Sequence, residues 1–355
     1  MDRTLFLHVG MPKCATTTIQ DFLRQNAGAL AAAGLRYVFH PEDRTVGQGN
    51  GATLAAAMYR GEVDLACRIL DHFLEGPGDA IISSEILLGL ARSAETPRLI
   101  ARAAERGYRV KVICYLRRQD LWIESDFKQH VKGDGLTNPT GDAPWLDNIQ
   151  ALVEFRSETK TLNYTWTLMH WAEFVGRENV LVEPLRPGQP ADAALRRFLA
   201  HVGAPQLSEA ALAAPDGNVS PPAGLIEPAR ILKRAWIARG FGLLSTTRRL
   251  DHFFDTAPGR IAVPERRFLL PLRQRRRLVH RFQQVNGTLG ELFLGGADPF
   301  GDTLVEDPAS ELPLGEEAAE IVALYLMPRR RAWRGSDLGL RVARRVRRLS
   351  GRNRV

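Results

Sequence analysis

Residues 5–20 carry the sequence LFLHVGMPKCATTTIQ, an apolar run followed by a break and then by a helix-like pattern. The apolar run has the character of a buried strand, and Gly10 and Pro12 end it. Apolar side chains at helical spacing then extend over 16–33. A strand–loop–helix turn directs several backbone N–H groups and the positive end of a helix at one point, which suits a bound phosphate.

Outward from this stretch, strand-like and helix-like segments alternate. Further strands are predicted at 36–39, 80–83, 110–116 and 179–182. Apolar strands separated by helices indicate a three-layer α/β domain with a parallel sheet covered on both faces. Ligands bind beyond the carboxyl ends of the strands in such sheets, so functional residues are expected within 10–18, 84–85 and 117–125.

The second half of the chain is less regular and more helical. Helices are predicted over 225–239 and 265–285, after a loop that contains Asn218 and Ser220. These two polar residues either close over a bound nucleotide or form a plain turn before two prolines. We expect one domain over 1–328 with a helical C-terminal part, followed by an extension over 329–355.

The loop itself has the chemistry of an anion site. Lys13 supplies a mobile charge, and Thr16, Thr17 and Thr18 supply hydroxyl donors at the start of the helix. The pattern differs from the phosphate-binding loop GxxxxGK[ST], because Ala15 takes the place of the second glycine and the lysine comes three residues early. An ordinary strand–turn–helix without a ligand is the alternative.

The segment Pro12–Thr18, PKCATTT, resembles the 5′-phosphosulfate-binding loop of sulfotransferases that use PAPS (3′-phosphoadenosine 5′-phosphosulfate), which commonly reads PKTGTTS. Cys14 and Ala15 depart from that pattern, and a positive φ at Ala15 would be strained. The resemblance implies a P-loop-NTPase-like topology. It also implies that PAPS is bound by the following loop residues: Lys13, Cys14, Ala15, Thr16, Thr17 and Thr18.

A second match follows in the same order along the chain. Arg117 ends a predicted strand and Ser125 comes eight residues later, as do the Arg and Ser that bind the 3′-phosphate of PAPS in these enzymes. An arginine can grip a phosphate bidentately, and a helical hydroxyl adds a donor. Looser similarities to a bacterial branch related to glycan sulfotransferases extend over about 1–300. They imply that the acceptor is a hydroxyl group, above all that of a saccharide or glycoconjugate.

Sulfuryl transfer needs a base for the acceptor hydroxyl and a positive charge near the leaving oxygen. Glu85 is the candidate base, because it follows a strand expected beside that of the loop, and Lys13 is the candidate charge. The other interpretation of Glu85 is an acid that stabilises a helix N-terminus. His40 and His130 are rival bases, although a lone histidine is more often structural. The mechanism requires no metal.

The net charge of +8 is located mainly at one end of the chain. Residues 329–355 contain eleven arginines and one acid, Asp337, for a charge of +10, which leaves about −2 for the rest. The tail is predicted to be either an amphipathic helix on an anionic membrane surface or a disordered solubilising segment; specific nucleic-acid binding is not expected. Three scattered cysteines and no recognisable leader favour a cytoplasmic protein, or one peripheral on the inner membrane face.

Two other functions fit part of the pattern. A nucleotide-dependent kinase or other phosphotransferase would use the loop in a divergent form, although the early Lys13 argues against it. A non-catalytic anion-binding protein attached to membranes by its tail is the other alternative. The aromatic residues Tyr164, Trp166 and Trp171 are expected in the core or in helix packing, or else against a bound sugar.

Overall fold

The computed structural model describes residues 3–43, 49–133, 143–208, 221–263, 265–312 and 314–326, without the side chain of Leu243. By contacts the chain divides into two compact units. The first comprises 1–119, 160–217 and 281–302, and the second 120–159, 218–280 and 303–355. The predicted boundaries at 328 and 329 stay predictions.

The first unit is an α/β fold built on a parallel sheet. Its five strands are β1 Arg3–Gly10, β2 Leu35–Arg36, β3 Asp79–Ser83, β4 Tyr108–Arg117 and β5 Val180–Leu185, in the order β2-β3-β1-β4-β5. All neighbouring pairs are parallel, with His8 opposite Ser83 and Gly10 opposite Cys114. β1 is therefore central, and the predicted parallel α/β class is confirmed.

The described chain contains thirteen α-helices. They are α1 Thr16–Gln25, α2 Ala27–Ala32, α3 Ala52–Tyr59, α4 Val63–Leu74, α5 Thr96–Glu105, α6 Gln119–Lys132, α7 Ile149–Glu158, α8 Tyr164–Val175, α9 Ala193–His201, α10 Ala223–Ile237, α11 Leu243–Thr256, α12 Leu272–Phe293 and α13 Leu314–Leu326. Within the first unit α1 contacts α9, whereas α5 contacts both α4 and α8. The connection from β1 to β2 crosses the sheet in one direction, and the connections from β2 to β3 and from β3 to β4 cross it in the other. Because such connections are right-handed, α1 lies on one face of the sheet, and α4 and α5 lie on the other.

Two predicted elements are shorter than expected. The helix predicted over 16–33 is divided at Asn26, whose backbone N–H and side-chain amide both donate to the carbonyl of Phe22 at 3.0 and 2.9 Å and so end α1. The strand predicted over 36–39 is reduced to Leu35–Arg36 at the edge of the sheet.

The helix predicted over 265–285 is wrong in its first seven residues, since α12 begins at Leu272. The preceding backbone N–H groups are bound by carboxylates. Asp307 accepts from Arg267 and Phe268 at 2.9 and 3.0 Å, and buried Glu124 accepts from Leu269 and Leu270 at 2.7 to 3.0 Å. These donors are therefore engaged by side chains from other parts of the second unit instead of by a helical ladder.

The second unit is helical in its described part, with a core around Trp122, Trp145 and Phe253. None of the described helices is long and apolar enough to cross a membrane. The tail over 329–355 and the loop residues Asn218 and Ser220 lie outside the described residues.

Candidate active site

The loop after β1 is held in an unusual backbone conformation. Lys13 and Ala15 both have positive φ, 64° and 63°, in the left-handed region that non-glycine residues seldom occupy. The loop is fixed to β4 by the N–H of Met11, which donates to the carbonyl of Tyr115 at 2.9 Å. Residues in this conformation cost about 1–2 kcal/mol each and tend to collect at functional sites. The strain expected at Ala15 is thus present, and Lys13 shares it.

α1 begins at this loop with no side-chain cap. Ala15 occupies the N-cap position without a side-chain hydrogen bond, and no acid lies in the first turn. The N–H groups of a first turn have no partner inside the helix. Thr17 and Thr18 are exposed, whereas Thr16 is buried. An uncapped helix start with exposed hydroxyls and a positive dipole end is suited to an anion.

Glu85 lies directly against the loop. It is the first residue of a 3-10 helix, Glu85–Arg92, that follows β3. The hydroxyl of Thr16 donates to Glu85 Oε2 at 2.7 Å. A Cβ at Gly10 would lie 3.1 Å from both Cα and Cβ of Glu85, so glycine permits this close approach. The carboxylate is thereby directed to the start of α1.

The alternative role of Glu85 at a helix start is also present in the geometry. Ser84 is the N-cap of the 3-10 helix, and its Oγ accepts from the N–H of Ile86 at 3.3 Å. Glu85 therefore stands in a first turn and can stabilise it. The hydrogen bond from Thr16 adds a contact with the loop to a residue whose helix position already has a structural explanation.

Arg117 reaches the same edge from β4. Its guanidinium, the Lys13 ammonium and the Glu85 carboxylate are all close enough to Cys14 to act on the thiol electrostatically. Burial is the larger influence and raises the pKa of Cys14 to about 12, so the thiol stays protonated. The backbone at Arg117 is anchored by the Tyr164 hydroxyl, which donates to its carbonyl at 2.8 Å. Lys13, Cys14, Glu85 and Arg117 thus lie at the same edge of the sheet.

Ser125 is half-buried in α6 and belongs to the second compact unit. Its predicted role in binding the 3′-phosphate stays a prediction.

The sequence analysis missed a buried polar network behind the loop. Asn50 donates to the carbonyls of Val38 and Ile81 at 2.8 and 3.0 Å and accepts from the N–H of Ser83 at 2.8 Å. Before it, Gly49 has a φ of 75°, and a Cβ there would lie 2.0 Å from the Ser83 carbonyl oxygen. The sequence Gly49-Asn50-Gly51 signalled a turn, but its long-range partner was invisible locally.

Ser83 also joins β3 to β1 and α1. Its hydroxyl lies 2.8 Å from Nδ1 of His8 and accepts from the Gln20 amide at 3.2 Å. His8 is fully buried between the rings of Tyr115 and Phe198, at centroid distances of 5.7 and 5.3 Å. Burial lowers the pKa of His8 to about 3, so the ring is neutral. The network aligns the carboxyl ends of the two strands that carry the loop and Glu85.

The rival histidines lie in other environments. His40 packs edge-on to His72, with ring centroids 5.1 Å apart. His130 lies in the second unit, where its Nε2 is 3.0 Å from Arg156 and 3.4 Å from Asp126. These contacts give both histidines a structural explanation.

The predicted aromatic residues lie in packing positions. Trp171 is buried, as is Tyr164. Trp166 has the guanidinium of Arg92 4.6 Å from its ring centroid, so a cation already occupies that face.

The described residues contain no group of three or more His, Cys, Asp or Glu side chains placed to hold a metal ion. Cys14, Cys67 and Cys114 are free thiols. Comparison with family models, curated proteins and solved structures finds no match to this chain.

Proposed function

We propose that this protein is a sulfotransferase that carries a sulfuryl group from PAPS to an acceptor hydroxyl. The observation that carries the proposal is the meeting of three strand ends in the first unit. The uncapped start of α1 with Lys13, the carboxylate of Glu85 hydrogen-bonded to Thr16, and Arg117 lie together there. An anion-binding helix start beside a base and two cations has the components for transfer of a charged group between oxygens. The strand order is compatible with a P-loop-NTPase-like topology, which we include in the proposal.

Each group has a distinct role in the proposed reaction. The N–H groups of the loop and first turn, with the hydroxyls of Thr17 and Thr18, bind the 5′-phosphosulfate. Glu85 accepts the proton of the acceptor hydroxyl as the acceptor oxygen forms its bond to sulfur. The bond between sulfur and the bridging phosphate oxygen breaks, and Lys13 stabilises the negative charge on that oxygen as adenosine 3′,5′-bisphosphate leaves. Arg117 binds the 3′-phosphate.

The acceptor class follows from the family resemblance. Similarity to glycan sulfotransferases favours a saccharide hydroxyl, and a glycan carried on a lipid at the inner membrane face would suit a cytoplasmic location. Kinase activity with a divergent loop and non-catalytic anion binding are the functions that the experiments must separate from this one.

Nucleotide selectivity provides the first test. Thermal unfolding is measured with adenosine 3′,5′-bisphosphate, ATP and adenosine 5′-phosphosulfate at equal concentration. A ligand at 100 times its Kd stabilises the folded state by about 2.7 kcal/mol, so the 3′-phosphorylated nucleotide should raise Tm most. A larger shift with ATP would instead favour the kinase.

Turnover provides the second test. The protein is incubated with PAPS and panels of saccharides, lipid-linked glycans and simple alcohols, and products that have gained SO₃ are sought by mass spectrometry. Formation of a sulfate ester that depends on Glu85 and Lys13 is the expected result. Nucleotide binding without any product across these panels would support the anion-binding alternative.

A further inference from the structure

The turn between α10 and α11 in the second unit is rigidly built. α10 ends in a Schellman motif, in which the N–H of Gly240 donates to Ile237 at 2.9 Å and that of Phe241 donates to Trp236 at 3.1 Å. Gly240 has the positive φ, 82°, that this motif requires. α11 then begins after Gly242, whose carbonyl accepts from both the N–H and the hydroxyl of Thr246 at 3.0 Å. The turn is therefore a fixed structure that presents a definite set of side chains.

Apolar side chains are displayed at this turn. The Leu244 residue is 62% exposed, the largest value among the exposed large hydrophobic residues of the described chain. Trp236, Ile237 and Phe241 are half-buried beside it. We call these four residues and the arginines described next the turn surface.

The charge of the turn surface has one sign. Arg234, Arg239, Arg248 and Arg249 occur within 234–249, and no acid lies between Arg234 and Asp251. Arg239, Arg248 and Arg249 are exposed. Arg234 is 3.5 Å from Asp147, and both are about half-exposed, so a modest ion pair offsets one of the four charges. Asp251 and Asp255 follow on α11, further from the turn.

The arginines and the aromatic rings are arranged together. The Arg249 guanidinium lies 4.4 Å from the ring centroid of Phe241 and 5.9 Å from that of Trp236. A guanidinium beside such rings keeps its charge available to solvent while its stem covers apolar surface. Side chains with an apolar body and a polar end are typical of the boundary between water and lipid headgroups.

From this arrangement we propose that the turn surface docks on an anionic lipid bilayer. Leu244 enters the interface, Trp236 and Phe241 lie at headgroup depth, and the arginines contact lipid phosphates. Charge alone would suit nucleic acid as well, but an exposed leucine flanked by aromatic rings has no favourable contact along a phosphate backbone. The surface lies within the described chain and acts separately from the tail over 329–355.

Vesicle binding by the full-length protein tests the proposal. Binding is measured by sedimentation with phosphatidylcholine vesicles containing phosphatidylglycerol, and with phosphatidylcholine vesicles alone. The double variant Arg239→Gln/Arg248→Gln should bind anionic vesicles about 30-fold more weakly, since each basic residue near such a surface contributes about fivefold. Leu244→Ser should weaken binding by about tenfold, because its apolar side chain no longer leaves water.

Matched controls separate the turn surface from the rest of the molecule. Leu312→Ser removes another leucine, 55% exposed, and Arg68→Gln removes another exposed arginine; both should bind vesicles as the unaltered protein does. Thermal unfolding of every variant excludes a folding defect. Amide hydrogen exchange should slow over 238–246 when anionic vesicles are added.

Three results would overturn the proposal. Turn variants that bind as tightly as the unaltered protein would assign membrane binding to the tail. Equal losses in the control variants would show that overall charge alone is measured. The third result is that the full-length protein does not bind anionic vesicles but binds double-stranded DNA through the same arginines. The turn surface would then be a nucleic-acid-binding surface.

Discussion

Two neighbouring strands of the sheet, β1 and β3, lead into helical segments in opposite ways. After β3, Ser84 caps the 3-10 helix through the N–H of Ile86, and its own N–H donates to the carbonyl of His8 at 3.0 Å. After β1, the loop passes through two left-handed residues and reaches α1 without a cap. The first junction therefore has a side-chain cap for its helical segment, whereas the second has none.

The difference indicates that the two junctions are suited to different roles at this edge of the sheet. The capped junction holds Glu85 in a defined place, which suits a base. The strained, uncapped junction presents the positive end of α1, which suits an anion, and backbone strain of this kind is typical of sites that must be preformed. The following substitutions disturb one junction at a time.

The largest expected effect comes from Lys13→Ala at the uncapped junction. Loss of a charge that matters most in the transition state should lower kcat about 100- to 1,000-fold, while affinity for adenosine 3′,5′-bisphosphate falls much less. Steady-state kinetics and calorimetric titration measure the two quantities. Arg24→Ala, at the other end of α1, serves as the control, and an unchanged kcat in Lys13→Ala would remove Lys13 from catalysis.

Arg117→Ala tests a third strand end beside these junctions. A lost charge-assisted contact should weaken binding of adenosine 3′,5′-bisphosphate by about 10- to 100-fold, while adenosine 5′-phosphosulfate binds nearly as before. Titration with both nucleotides gives the ratio. If the two affinities fall equally, the arginine does not recognise the 3′-phosphate.

Ser84→Ala breaks the capped junction. The free energy of unfolding should fall by about 1 kcal/mol, and turnover should fall as well, because Glu85 loses its support. Asn148 caps α7 by accepting from the N–H of Ala151 at 2.8 Å, so Asn148→Ala is the matched control. It should lower stability similarly and leave turnover intact. Urea unfolding measures the free energy of unfolding of each variant, and an activity assay measures its turnover. Equal turnover in Ser84→Ala and Asn148→Ala would show that the reaction does not depend on the position of Glu85.

The smallest effect is expected from Ala15→Gly, and its sign is the informative result. Glycine relieves the left-handed strain, which stabilises the folded state. Its greater freedom in the unfolded chain offsets part of this gain, so the free energy of unfolding should rise by only about 0.5–1 kcal/mol. Ala31→Gly, in the exposed part of α2, should lower it by about the same amount. Destabilisation of Ala15→Gly in urea would mean that the loop does not hold this residue under strain.

Local patterns predicted four of the five strands well, since apolar and β-branched runs are properties of neighbouring residues. The rule that ligands bind at the carboxyl ends of parallel strands then predicts that Glu85 and Arg117 lie near the loop. The patterns failed where side chains from distant parts of the sequence determine the backbone conformation. Glu124 and Asp307 engage the N–H groups before α12, and Asn50 binds the ends of other segments. Such partners are set by packing, which periodicity does not encode.

The buried side chain of His8, between the two junctions, makes the stability of the fold depend on pH in acid solution. In the unfolded chain His8 takes up a proton below about pH 6.5, whereas in the folded chain its pKa is about 3. Its contribution to stability is therefore complete above pH 6.5 and is lost as the pH falls towards 3, by up to about 1.4 kcal/mol per pH unit. Because the ring joins β1 to β3 through Ser83, acidification would loosen the edge of the sheet that carries the loop and Glu85. The pH range over which this protein stays folded is thus limited by a side chain of its own core.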